Sequence, residues 1–341
     1  MTAPYSRAEG RFLPGAEYHR RRMLCHWDDV SERPVDAGHV RAHLLDLGRA
    51  SGTVHIGARR QRVAPRATGG TVHVHDAEEE ICFVVAGSGL SWQDGTTYEV
   101  RAGDALLHSP GGAAHCLVAG DEGLTAIVFG ERRPVEVGRL PRAGLARVGR
   151  MWTELGPAAD SFSREAAAGP VAIEDGPAPR PQSIVNIADV PGEERDRGEL
   201  GATIRNIGVA LGSRTTGMRH ATIAPGHINA PPHAHNAEEE MFVVLDGDGT
   251  LVLYDLDGAV TAEHPVRAGH VVARPAATGV AHTFRAGDGG ITVLSYGQRR
   301  GEDVAWYPRS SKLAFRGFSG GGAIGGIVVK VERAGYWDGE A

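Results

Sequence analysis

Apolar residues along the chain fall in short runs rich in Val, Ile and Phe, separated by Gly, Pro and Asp. Ile81–Ala86, Thr125–Phe129, Met241–Leu245 and Ile291–Ser295 are four of them. Runs of this length, bounded by turn residues, predict strands. The longest strictly apolar run, Ile81–Ala86, is far below the roughly 20 residues of a membrane span, so no membrane partner is expected.

The pattern occurs twice. His73-Val-His75-Asp-Ala-Glu-Glu-Glu80 recurs 160 residues later as His233-Ala-His235-Asn-Ala-Glu-Glu-Glu240. The register holds backward, with Arg59 on Arg219, Val63 on Ile223 and Ala64-Pro65 on Ala224-Pro225. It holds forward from Gly87 and Gly89 to Gly247 and Gly249. Val100-Arg-Ala-Gly103 returns as Val266-Arg-Ala-Gly269, and His115 as His282, at an offset grown by a longer hairpin around Asp255 to Gly258. This is one module duplicated, not a solenoid. Strands in such number close into a sandwich or barrel, which manages exposed edges.

The implied organisation is an N-terminal extension (1–45), a first barrel (46–134) and a Pro/Gly-rich linker (135–197). A second barrel (198–300) and a C-terminal extension (301–341) follow. Asp160 is placed to cap a short linker helix running to Ala168, with Gly169 just past its end. Trp306, Tyr307, Tyr336 and Trp337 predict that the C-terminal extension docks by packing.

Composition narrows the function. The 36 Lys and Arg against 42 Asp and Glu leave a net charge of −6, which disfavours nucleic acid as a partner. Arg20-Arg21-Arg22 is one compact basic cluster, read as a solvated face. Three cysteines (Cys25, Cys82 and Cys116), without CxxC spacing, argue against a disulfide framework. With no apolar leader at the start, a cytoplasmic location is expected.

A lone HxH carries little information, because 16 histidines in 341 residues produce about 0.7 such pairs by chance. Requiring Glu five residues on and Gly seven beyond it lowers the expectation to about 0.007 per copy. On a strand, residues i and i+2 share a face, so each HxH aims two imidazoles into one barrel. Glu80 and His115, from later strands, join His73 and His75 there. Three imidazoles and a carboxylate suit a divalent first-row transition metal. Alternation then sends Glu80, Cys82 and Val84 inward and Ile81, Phe83 and Val85 outward. Glu240, Phe242 and Val244 face inward in the second copy. Glu79 and Glu239 are expected to point away into solvent.

These residues resemble the cupin superfamily, specifically a two-domain bicupin. Its first motif, G(X)5HXH(X)3–4E(X)6G, is matched by His73, His75, Glu80 and Gly87 and by His233, His235, Glu240 and Gly247. Its second, G(X)5PXG(X)2H(X)3N, is matched by Gly103, Pro110, Gly112 and His115 and by Gly269, Pro275, Gly279 and His282. The first copy carries six residues between Gly103 and Pro110. The second carries three between Pro275 and Gly279, and Ala119 and Ala286 stand at the terminal Asn. The resemblance covers about residues 50–131 and 203–298. It implies an all-β fold of two tandem double-stranded β-helix (jelly-roll) barrels. It also implies two metal-ligand sets, His73/His75/Glu80/His115 and His233/His235/Glu240/His282. The HWH variant of oxalate decarboxylase-like bicupins is absent, so that activity is not carried over, and the motifs are unlike those of gentisate dioxygenases. Homodimers are common for this resemblance.

The expected function is a metal-dependent enzyme, most simply a non-haem Fe(II) dioxygenase acting on a small oxygen-bearing molecule. Mn, Ni, Cu, Zn and Co also suit the ligands, one ion per barrel. Glu80 or Glu240 would serve as base, and Arg59 and Arg219, if inward, would hold a substrate carboxylate. Pro231-Pro232 stiffens the entry to the second HxH and favours that barrel as the reacting one. Alternatives are a metal-assisted isomerase, epimerase, lyase or decarboxylase that does not use O2, and a small-molecule-binding bicupin. His55, His108, His220, His227, His264 and His270 lack motif support and are read as surface or core residues. Cys82 is expected to line the first cavity as a small hydrophobe, and Cys116 to face away from His115.

Overall fold

The computed structural model describes residues 23–148, 151–154, 161–173, 176–316, 326–334 and 338–339. Arg20–Arg22, Asp160, Tyr336 and Trp337 lie outside the described residues. The fold is the expected all-β one. Two eight-stranded antiparallel sheets follow one plan, each accompanied by a four-stranded sheet.

In the first barrel, strand Glu80–Gln93 lies between Asp104–His108 and His115–Glu131. Ile56–Val63, Val40–Asp46 and Arg33–Ala37 continue the sheet, and Thr96–Arg101 pairs on Glu80–Gln93. In the second, Glu240–Tyr254 lies between His270–Arg274 and Ala281–Gln298. Thr216–Ile223, Leu200–Arg205 and Gly192–Arg197 continue it. Arg33–Ala37 and nearly all of Val40–Asp46, within the span 1–45 read as an N-terminal extension, are thus strands of the first sheet.

The outer strand of each sheet comes from elsewhere in the chain. Leu24–His26 pairs with His270–Arg274 of the second barrel, and Ile184–Asn186 pairs with Asp104–His108 of the first. These two strands are themselves 160 residues apart, so the duplication begins earlier than the motifs show. Each covers an edge that would otherwise present unpaired backbone groups.

Period-two alternation divides the packing as expected. Cys82 and Val84 join Val63, Leu106 and Ala126 inside the first barrel, and Phe242 and Val244 join Ile223 and Phe284 inside the second. Outward Ile81 and Phe83 meet Met241 and Val243 in one shared cluster between the barrels, with Leu47, Ile56, Ile207 and Met218. Phe129 and Tyr296 stack there with ring centroids 5.1 Å apart. Burying each large side chain contributes about 1.5–3 kcal/mol, so this cluster ties the barrels together.

The motif glycines have a steric reason. Gly87 and Gly247 adopt φ +79° and +74°, and an added Cβ would lie 2.2 Å from the carbonyl oxygens of Gly123 and Gly290. The linker helix spans Ser161–Ala167, with Gly169 left-handed just beyond it. Val137–Leu140, within the span read as linker, pairs with Val74–His75. Val304–Tyr307 pairs with Ala234–His235.

Candidate metal centres

Each HxH ends in a two-residue strand, Val74–His75 or Ala234–His235, paired with the segment that follows its barrel, while its first histidine bridges to the third histidine. His73 and His115 exchange backbone hydrogen bonds of 3.2 and 2.9 Å, and His233 and His282 exchange bonds of 3.3 and 3.0 Å. Glu80 and Glu240 open the long strands beside them. Both expected sets therefore come together, each from three stretches of backbone.

In the first barrel, the Glu80 carboxylate lies 3.7 Å from His73 Nε2, 3.7 Å from His75 Nε2 and 3.3 Å from His115 Nε2. In the second, Glu240 Oε2 lies 3.5 Å from His235 Nε2 and 3.4 Å from His282 Nε2. His233 offers a ligand atom within 4.8 Å of both Glu240 and His282.

The opposite ring nitrogens of five of the six histidines are engaged. Nδ1 of His73 donates to Thr71 O (2.9 Å), that of His115 to Ala113 O (3.1 Å) and that of His233 to Pro231 O (2.9 Å). His75 Nδ1 donates to Glu136 (3.0 Å) and His235 Nδ1 to Asp303 (2.6 Å). A neutral imidazole that donates through Nδ1 presents a lone pair at Nε2. Several lone pairs thus face a carboxylate, acceptor against acceptor. His235 Nε2, Glu240 Oε2 and His282 Nε2 are buried with no hydrogen-bond partner among the described residues. A cation resolves this arrangement. Bonds of about 2.1 Å would set neighbouring ligand atoms roughly 3.0–3.4 Å apart, close to the spacing observed. The donor set and its orphaned atoms fit a divalent transition metal.

Charge is focused in the same place. With no cation present, burial lowers the His75 imidazole, but Glu80, Glu136 and Glu78 overcome it and raise the group to about 9, so a metal would take the place of the Nε2 proton. Burial lowers His233 to about 4 and His282 well below the usual range. Burial raises Glu80 and Glu240, yet the surrounding histidines hold both carboxyls below 4.5.

Glu136 and Asp303 did not stand out in the sequence. Besides its histidine, Glu136 accepts from the backbone N–H of Asp76 and Ala77, and Asp303 from those of Ala237 and Glu238. Such carboxylates fix imidazole orientation and raise its basicity. A signal was present. Arg132-Arg133-Pro-Val-Glu136-Val137 recurs as Arg299-Arg300-Gly-Glu-Asp303-Val304 at the 167-residue offset of His115 and His282.

The acidic triplets also divide differently from expectation. Glu79 and Glu239 do point out of their barrels, but they are not solvated. They are 3% and 1% exposed because the other barrel covers them. Glu78 and Glu238 are buried behind His75 and His235, where burial raises Glu78 to about 7.

Arg59 and Arg219 share the strand face of Val63 and Ile223, which pack inside the barrels. Arg59 is exposed at its end of the strand and Arg219 is half-buried. The surrounding protein lowers both guanidinium groups, while Asp46 and Glu80 oppose that shift at Arg59 and Glu240 opposes it at Arg219. Neither head group is hydrogen-bonded or ion-paired to another described residue.

His108 and Arg274, at matching positions, pair in register with Glu80 and Glu240. His108, read as an unremarkable histidine, is buried and stacks face to face on His115 at 3.5 Å. Tyr307, read as a packing residue, stacks on His233 at 5.6 Å. Cys82 Sγ lies 3.7 Å from Glu80, as its inward parity implied. Cys116 packs elsewhere, with Val72, Val74 and Trp92.

No helix among the described residues is long and apolar enough to cross a membrane. No curated protein matches the sequence. The cupin domain family matches residues 59–130 and 219–295. Among solved structures the chain is similar to Bacillus subtilis oxalate decarboxylase. The pH 4.6 structure of that enzyme aligns at 16% identity and TM-score 0.54, over 80% of this chain and 75% of that one. An oxalate decarboxylase structure addressing the substrate binding mode aligns at 17% identity and TM-score 0.53, over 80% and 76%. One addressing its Mn(II) centres aligns at 16% and 0.54, over the same shares. One match encloses each histidine–glutamate cluster, so the chain carries two cupin domains.

Proposed function

We propose that each barrel holds one divalent transition metal through His73, His75, Glu80 and His115 or through His233, His235, Glu240 and His282. We further propose that the chain is a metal-dependent enzyme acting on a small oxygen-bearing organic substrate. The observation that carries this is the set of buried, unpartnered atoms on His235, Glu240 and His282, all turned to one point. A bound ion supplies Lewis acidity toward a substrate oxygen.

The chain's own residues supply the remainder. Glu136 and Asp303 hold His75 and His235 in the tautomer that offers Nε2. Glu80 and Glu240, kept ionised by their neighbours, are positioned to accept a substrate proton. Arg59, exposed, and Arg219, half-buried, lie on the inward strand face without hydrogen-bond partners among the described residues and suit a substrate carboxylate.

The first reading of the chemistry is an Fe(II)-type dioxygenase, since four protein ligands leave positions for both substrate and O2. The second is decarboxylation or isomerisation without O2. The likeness in fold to a decarboxylase with Mn(II) centres favours it, and Mn(II) suits the same ligands.

Elemental analysis of anaerobically purified protein tests the metal. Two ions per chain are expected, with one lost in His75→Ala and the other in His235→Ala. Unchanged metal content in both variants would rule out the assignment. Oxygen uptake by Fe(II)-loaded protein across phenolic, flavonol and β-dicarbonyl substrates, against turnover under strict anaerobiosis, then separates the two chemistries.

A further inference from the structure

Glu80 turns its two carboxylate oxygens to different partners. Oε2 lies 3.7 Å from Nε2 of both His73 and His75. Oε1 lies 3.3 Å from His115 Nε2 and 3.7 Å from Cys82 Sγ. A second group of donors gathers on the sulfur side. Glu80, Cys82 and His108 each present one ligand atom, all within 4.8 Å of one another.

Strand geometry builds this triad. Glu80 and Cys82, two residues apart, share the inward face of their strand, and His108 pairs in register with Glu80 from the next one. His108 is 8% exposed, and its ring lies flat on His115, which fixes its plane. Neither of its nitrogens is hydrogen-bonded to another described residue. The Cys82 thiol is buried and has only its weak bond to Glu80. Two buried donors with little else to bind thus flank one carboxylate.

Thiolate, imidazole and carboxylate are the donors of zinc and other thiophilic divalent ions. Bonds of about 2.1 Å to oxygen and 2.3 Å to sulfur, at a tetrahedral angle, set those two atoms roughly 3.6 Å apart. The observed separation is 3.7 Å. An ion needs no cavity beyond the gap between its donors. The side chains of Glu80 and His73, 12% and 29% exposed, mark its way in from solvent. The second barrel has no such triad. Phe242 stands at the place of Cys82 and Arg274 at that of His108, and neither offers a lone pair.

We infer that the first barrel has a cation position of its own on Glu80, Cys82 and His108, selective for thiophilic divalent ions of the zinc class, and that the second barrel lacks it. As the ion binds, the Cys82 S–H bond breaks, the sulfur keeps the electron pair for the metal and the proton leaves to solvent. The position shares Glu80 with the first histidine set proposed above and rests on that reading for nothing else.

The test is anaerobic titration of full-length, metal-free protein with Co(II), a spectroscopic stand-in for zinc, in a non-thiol reductant. A near-ultraviolet sulfur-to-cobalt charge-transfer band is expected. It should vanish in Cys82→Ser and persist in Cys25→Ser, Cys116→Ser and His235→Ala. His108→Phe, which keeps the ring stack, should raise the Co(II) concentration at half-saturation of the band about tenfold or more. An unchanged half-saturation there overturns the triad. Bound Co(II) without the band, or a band that survives Cys82→Ser, overturns the site and leaves the histidine sets standing. A single Co(II) per chain that shows the band and is lost in Cys82→Ser supports the site and overturns the histidine sets. If Cys82→Ser does not fold, X-ray absorption of zinc-loaded Cys25→Ser protein decides. A zinc–sulfur distance of about 2.3 Å supports the site, and its absence overturns it.

Discussion

Glu79 and Glu239, 160 residues apart, each close a loop of the opposite barrel. Glu79 accepts hydrogen bonds from Ser213 Oγ (2.7 Å), Thr216 Oγ1 (2.8 Å) and the backbone N–H of Arg214, Thr215 and Thr216. Glu239 accepts from the backbone N–H of Val54, His55 and Ile56 at 2.9, 2.6 and 3.0 Å. The two loops are themselves equivalent in the repeat, so one contact is made twice. Each glutamate directly precedes Glu80 or Glu240, which couples barrel docking to the placement of each cluster.

Glu79→Gln should therefore destabilise the whole chain rather than one barrel. A buried carboxylate held by charge-assisted bonds is replaced by an amide whose NH2 faces donors, at a cost of about 2–4 kcal/mol. Chemical denaturation should show a lowered midpoint. An unchanged midpoint would mean that the contact contributes nothing.

The same carboxylate predicts an acid limb. Burial raises the Glu79 carboxyl, but bonds from Arg214, Ser213, Thr216 and Thr215 outweigh it and hold it below 4.5. A depressed folded value stabilises the protein above the unfolded value and is lost as pH falls through the folded one. Thermal midpoints measured from pH 7 downward should fall below about pH 4.5, and less steeply in Glu79→Gln than in wild type. Parallel curves would assign the acid limb to other groups.

Asp303→Asn should weaken metal in the second barrel about 10- to 100-fold and leave the first unchanged, and Glu136→Gln should do the converse. Competition with a chelator, read as metal retained per chain, measures both. Loss from both barrels in either variant would indicate a general effect on folding.

Gly247→Ala places a Cβ against the Gly290 carbonyl at a positive φ, so backbone must move. A loss of about 2 kcal/mol or more is expected. A control at Gly289, where nothing lies within 4 Å of an added Cβ, should cost far less. Equal effects at the two sites would remove the steric explanation.

The duplication, the strand class, the eight clustered residues and the inward parity of Cys82, Val84, Phe242 and Val244 were all legible in the residues. Side-chain alternation is set within a strand, and the HxH spacing puts two imidazoles on one face wherever that strand goes. Both are local properties. Which outward faces meet water is not local. Glu79 looked solvated because alternation reports only that it leaves its own barrel, while the second barrel covers it. The exchanged strands Leu24–His26 and Ile184–Asn186 and the carboxylates Glu136 and Asp303 acquired their roles from contacts across many residues of chain. Packing of whole sheets decides such contacts, and no periodicity in the sequence encodes them.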